Sequence, residues 1–185
     1  MPETRGPRAA AAIFDAALAL LAEHGYDALT VEGVARAAGV NKTTLYRWWP
    51  SKPALLRAAI LHARVLDVDI PDTGSLRGDL VALAEQVLAL LTGPHAAPVV
   101  RALAAGPPEL AGLAGEFFAD RLAREQPLFD RARVRGDLPP VDPKLLLDLV
   151  AGALWVRVLL RQEEPPPDFA ARTVDAVLGG TAGGR

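Results

Sequence analysis

An all-α fold is the expectation for this chain of 185 residues, and three observations carry it. About half of the residues are apolar (51%) but only 5% are aromatic, so Ala and Leu supply most of the apolar content, a mix that favours helix over sheet. Apolar residues recur at three- and four-residue spacing in one segment after another, and no stretch shows the alternation a strand needs. Clusters such as GPP, GDLPPVDP and PPP separate those segments as breakers should.

Each element follows from its local pattern. The first helix is expected over about Pro7 to His24, with Ile13, Ala17 and Leu21 on one stripe and Phe14 and Leu18 beside it. Gly25 is placed to stop it in the left-handed conformation. Thr30 then reads as the N-cap of a short helix, Val31 to Ala38, with Leu29 and Val34 at the spacing of a hydrophobic staple. Gly39 breaks that helix, Asn41 caps the next, and Val40 with Leu45 repeats the staple. Two short helices joined by a turn of three or four residues containing Gly form the helix-turn-helix pattern.

Pro50 ends the third helix, because the residue before a proline avoids helical geometry. Ser51 can cap a fourth, which tolerates Pro53 in its first turn and runs to about Val68 along Leu55, Leu56, Ala59, Ile60 and Ala63. DVDIPDTG, residues 67–74, reads as a break and a domain junction. Further helices are expected over Leu76 to Leu91, Ala97 to Ala104 and Glu109 to Glu125, the last followed by a separate piece from Pro127 to Arg135. After the GDLPPVDP loop, Asp142 is an N-cap with Pro143 at the first helical position. Lys144 to Gln162 is long and very apolar, Phe169 to Leu178 is the last helix, and GGTAGGR is a frayed tail. The expected organisation is a helix-turn-helix domain over 1–50, a connecting helix over 51–68 and a second domain over 69–185.

Composition bounds the function. The absence of cysteine removes disulfide and thiolate chemistry and suits a reducing cytoplasm, the expected location. The amino-terminal residues carry no apolar run of signal-peptide length, and nowhere do roughly 18 uninterrupted apolar residues occur, so no membrane partner is expected. Net charge is −2, but it is unevenly spread. Residues 1–66 hold eight Lys or Arg against five Asp or Glu; the remainder holds twelve against seventeen. A mildly basic head thus precedes an acidic body. His24, His62 and His95 are far apart and lack metal-ligand spacing, no nucleophile or phosphate-loop motif is present, and Glu163-Glu164 borders PPP as a solvated helix end. No catalytic residue, metal or cofactor is therefore expected.

The informative stretch is NKTTLYRWWPSK, Asn41 to Lys52. On a helix, Leu45 and Trp49 share the inward face, while Thr43, Arg47 and the Thr44 edge point outward, flanked by Tyr46 and Trp48. A major groove accepts a helix and offers base edges that Thr and Arg can read, Arg47 by a bidentate bond to guanine. Lys42, Lys52, the Tyr46 hydroxyl and the backbone N–H groups at Ser51 and Lys52 suit phosphates, which fix the dock without reading sequence. The rival reading is a helical interaction module whose helix-turn-helix no longer binds DNA.

TVEGVARAAGVNKTTLYRWWPSKPALLRAAI, Thr30 to Ile60, resembles the amino-terminal domain of tetracycline-repressor-like (TetR-like) regulators, and with the preceding helix the likeness covers about 65 residues. That resemblance implies about nine helices, with the first three binding double-stranded DNA and helix four leading to a ligand-binding and dimerisation domain. It implies a ligand-responsive repressor acting as a homodimer on a palindromic operator. It places Thr30 at a phosphate, Thr43, Thr44 and Arg47 on base edges, and Tyr46, Trp48 and Lys52 on the DNA backbone, with Trp48 departing from the smaller polar or histidine side chain common in the family. It implies a small hydrophobic effector, whose candidate pocket residues here are Phe117, Phe118, Arg121 and Trp155. It also implies a dimer through the last two long helices, with Leu147, Val150, Ala151, Leu154, Val158, Val174 and Val177 as the interface here. Independently, residues 145–160 are too apolar for a surface helix and need a partner on more than one face.

Overall fold

In the computed structural model, residues 9–63, 67–94, 96–105 and 108–182 are described, the side chains of 63, 105, 108–111, 113–122 and 181–182 excepted. Nine α-helices and no strand occur among them: α1 (Ala10–Ala28), α2 (Val31–Ala37), α3 (Lys42–Trp48), α4 (Lys52–Ala63), α5 (Leu76–Thr92), α6 (Ala96–Ala105), α7 (Pro108–Arg135), α8 (Pro143–Trp155) and α9 (Phe169–Ala182). The chain forms two compact units that do not follow chain order, Met1–Asp67 with Pro94–Gly115, and Val68–Gly93 with Glu116–Arg185. Residues 94–115 thus join the first unit, although the sequence placed everything beyond 68 in one body.

In the first unit α1 packs on α4, α2 and α6 through Ile13, Phe14, Ala17 and Leu21, the stripe read from the sequence. Phe14 meets Trp49 edge-on at 5.1 Å and His62 at 5.0 Å. Gly25, at φ 76°, breaks the α1 spiral where the stop was expected, and the helical residues 26–28 beyond it extend past the expected end at His24. The described part of α4 reaches Ala63, residues 64–66 lie outside the described residues, and Asp67 and Val68 are not helical, so the helix stops short of the expected end at Val68.

The second unit closes around α5, α8 and α9, which pack on one another. Two of its helix starts have side-chain caps: the Ser75 hydroxyl accepts from the Gly78 N–H at 3.1 Å, and Asp142 accepts from the Lys144 N–H at 3.0 Å with Pro143 beside it. Residues 108–135 form one helix rather than two pieces. Pro127 costs this helix about 3 kcal/mol through a lost backbone bond and the clash of its ring with the preceding turn. The complete burial of Leu128, Phe129 and Ala132 in the following turn offsets that loss. The last helix likewise runs through Gly179 and Gly180, two residues of the expected frayed tail.

A buried polar knot ties the segment before α5 to the end of α7. Asp79 is fully buried; its Oδ1 accepts from the Thr73 N–H (2.6 Å) and hydroxyl (2.8 Å), and its Oδ2 from Arg135 (3.1 Å). The Leu76 N–H donates to Asp137 at 2.6 Å, and Arg131 donates to the Pro71 carbonyl and lies 3.4 Å from Asp72. Four chain segments, 71–73, 76, 79 and 131–137, thereby satisfy one another's charges and backbone groups. Such pairing is what makes a buried carboxylate tolerable.

Candidate nucleic-acid interface

The α2–α3 corner is built by local chemistry. The Thr30 hydroxyl oxygen accepts from the Gly33 N–H at 3.0 Å, and Leu29 and Val34 are both buried, which sets the start of α2. Its end is a Schellman motif. Gly39 takes φ 66°, its N–H donates to the Arg36 carbonyl, and the Val40 N–H reaches back to Ala35 at 2.9 Å. Asn41 then caps α3 by accepting from the Thr43 N–H at 2.8 Å.

This corner presents α3 edge-on. Leu45 is fully buried and Trp49, the residue ending α3, is 9% exposed, so both anchor the helix inward as the spacing predicted. Lys42, Thr43, Tyr46, Arg47 and Trp48 are exposed, and Thr44 is half-buried at the edge. Trp48 faces solvent, with the Arg47 guanidinium 5.6 Å from its ring centre. Arg36, which the sequence reading did not single out, adds an exposed cation near the end of α2.

Two expected phosphate donors already have partners in the chain. The Lys52 ammonium donates to the Tyr26 carbonyl at 2.8 Å and lies 4.0 Å from the centre of the Tyr26 ring. An ammonium has three protons, so this bond leaves capacity for a second acceptor. The Tyr46 hydroxyl, with one proton, donates it to Glu32 Oε1 on α2 at 3.1 Å, and this bond raises the phenol above its ordinary pKa. No residue spacing advertised that pairing, because the partners lie fourteen positions apart and meet only once the corner forms.

The residues expected at the self-association surface differ in their burial within the second unit. Val150, Leu154, Val158 and Val174 are buried within the protomer, where α8 and α9 pack on each other and on α5. Leu147, Ala151 and Val177 are half-buried. The exposed apolar stripe is instead Leu145, Leu149, Val156 and Leu160, at 48%, 47%, 41% and 76% exposure, with the exposed Gly152 between them. A π-helical turn, Val156–Leu160, continues α8.

Of the expected pocket residues, Trp155 is half-buried, and the Phe117, Phe118 and Arg121 side chains lie outside the described residues. No group of three metal-ligating side chains occurs among the described residues, and no single described helix is long and apolar enough to cross a membrane.

Known proteins share this architecture. Residues 13–59 match the description "Bacterial regulatory proteins, tetR family", and residues 70–177 match "Tetracyclin repressor-like, C-terminal domain". The HTH-type transcriptional regulator AqdR of Rhodococcus erythropolis is 30% identical over 181 residues, 96% of this chain and 87% of that protein. The crystal structure of the TetR family transcription regulator SCO0332 is 34% identical with a TM-score of 0.71, covering 94% of this chain and 98% of that one. The flavonoid-responsive regulator FrrA is 27% identical with a TM-score of 0.68, covering 94% and 95%. With both parts of its length matched, the chain belongs to the TetR family of DNA-binding transcriptional regulators, proteins that act as dimers on DNA and are not enzymes.

Proposed function

We propose that this regulator is a ligand-responsive repressor that reads a palindromic operator in the cytoplasm through the exposed face of α3. The observation that carries the DNA-reading assignment is the two-sided character of that helix: Leu45 and Trp49 lock it to the core while Lys42, Thr43 and Arg47 stand in solvent. Thr43, Thr44 and Arg47 are assigned to base edges. Thr30, Lys42, Tyr46, Trp48 and Lys52 are assigned to the sugar-phosphate chain. The Thr30 hydroxyl suits this role because it accepts from Gly33 and keeps its own proton to donate.

The second copy is assigned to the stripe Leu145, Leu149, Val156 and Leu160. Gly152, Gly179 and Gly180 support this reading, since an added Cβ at any of them would meet nothing within 4 Å in the protomer. Each glycine costs its helix about 1 kcal/mol relative to alanine, and close approach of a partner helix supplies the reason that the protomer lacks. Isologous pairing would set two α3 helices on half-sites about one turn apart, ~34–36 Å. A small hydrophobic effector near Trp155, supported by the responsiveness in the name of FrrA, would act by favouring a spacing that does not fit DNA.

Selection of duplexes from a random library by the full-length protein, followed by footprinting, tests the reading. The expected product is an inverted repeat; a protein that selects nothing overturns it. Arg47→Ala is expected to relax preference at one or two base positions and to cost roughly 1–3 kcal/mol on the selected duplex. An equal loss on every sequence removes Arg47 from base reading. Lys52→Ala is expected to weaken all duplexes evenly and to reduce the salt slope by about one. An unchanged slope accompanied by a lower unfolding midpoint confines Lys52 to its bond with Tyr26.

A further inference from the structure

From Ala28 to Leu66 the chain carries six Lys or Arg and a single acidic residue, Glu32. A carboxylate beside a surface meant for phosphates repels them, so its retention in an otherwise acid-free stretch calls for a physical role. Its place in the first turn of α2 suits the helix dipole, but an acid one position away would serve that purpose equally. What its position specifically permits is the 3.1 Å bond from the Tyr46 hydroxyl on α3.

We infer that Glu32 is a positioning residue that holds the Tyr46 hydroxyl in the free protein and must yield it to a phosphate when a duplex docks. This rests on the assignment of Tyr46 to the DNA backbone. A phenol has one proton, and a phosphate oxygen can only accept, so the hydroxyl cannot serve both carboxylate and phosphate. Docking therefore exchanges one charge-assisted bond for another and brings the Glu32 carboxylate toward the phosphate chain. Both Glu32 and Tyr46 are exposed, so neither side chain is needed to hold the core, and the exchange is free to occur at the surface. The consequence is a built-in cost to every docking event, which restrains binding driven by charge alone.

The test uses the full-length protein with two fluorescent probes over a salt series: the duplex that the wild type selects from a random library, and a scrambled duplex of the same composition. Glu32→Ala is expected to tighten binding of both about three- to tenfold at low salt. The same change made with Tyr46→Phe is expected to tighten binding clearly less, because only the charge effect remains. Glu32→Gln keeps an acceptor and removes the charge, so it should fall between wild type and Glu32→Ala. In a Tyr26→Phe background Tyr46 is the remaining tyrosine, and its ionisation, followed by ultraviolet absorbance, should move down when Glu32 becomes Gln. Glu32→Ala binding no better than wild type, or gaining equally with and without the Tyr46→Phe change, overturns the inference while the DNA assignment stands. A wild type that selects no duplex overturns the assignment and the inference together.

Discussion

Leu149→Glu will dissociate the regulator into monomers that keep their helical content and lose selective DNA binding. Leu149 is 47% exposed in the protomer and lies mid-way along the apolar stripe of α8, so the change puts a carboxylate where the second copy is assigned. Losing a central apolar contact costs about 2 kcal/mol. A twofold interface counts it twice, giving about 4 kcal/mol. That raises the dimer dissociation constant roughly a thousandfold. Sedimentation or sizing chromatography reads the dimer, circular dichroism reads the helices, and anisotropy reads DNA binding. A Leu149→Glu protein that still runs as a dimer moves the interface off this stripe. The contrasting variant is Leu154→Ala. Leu154 is fully buried within the protomer, so that change should cost about 2–5 kcal/mol of folding stability instead.

Asp79→Ala will be the most destabilising single change in the polar knot, at about 3 kcal/mol or roughly 6–12 °C in Tm. The loss strands Arg135 beside the cavity and leaves the Thr73 N–H and hydroxyl without their acceptor. Asp79→Asn keeps an acceptor and should lose less. The charge also predicts a pH dependence. Burial pushes the Asp79 carboxyl up, but the Thr73 backbone and side-chain bonds and the Arg135 guanidinium together outweigh it and hold the group below its ordinary pKa. A depressed folded pKa means the unfolded chain takes the proton more readily. The contribution is therefore complete above the ordinary carboxylate range and drains away as pH falls through the lowered folded value. Urea unfolding between neutral and acid pH checks this. A wild-type minus Asp79→Asn difference that is flat across that range assigns the knot to packing alone.

The corner that carries the DNA-reading assignment was legible because its determinants are local. Thr30, Asn41, Gly39 and the staple pairs act within four or five residues, so the two caps and the break at Gly39 could be read along the chain and are present in the structure. Leu45 and Trp49 were assigned inward for the same reason. Helix joins were less legible. Pro127 read as a boundary because its local cost is evident, whereas the burial of Leu128 and Phe129 that outweighs it is a tertiary quantity.

By itself, then, the order of residues settled the helical class, the caps and turns of the amino-terminal corner and the outward display of Thr43 and Arg47, because each depends on neighbours a turn or two away. Tertiary structure alone decided which face of the apolar α8 helix points into the protomer. Residues 145–160 are apolar nearly all round, so periodicity offers two seams and cannot rank them; packing on α5 and α9 buried Leu154 and exposed Leu149. It also decided the partners of Tyr46 and Asp79, Glu32 and Arg135, which stand 14 and 56 positions away and are brought within hydrogen-bond reach by the folded chain.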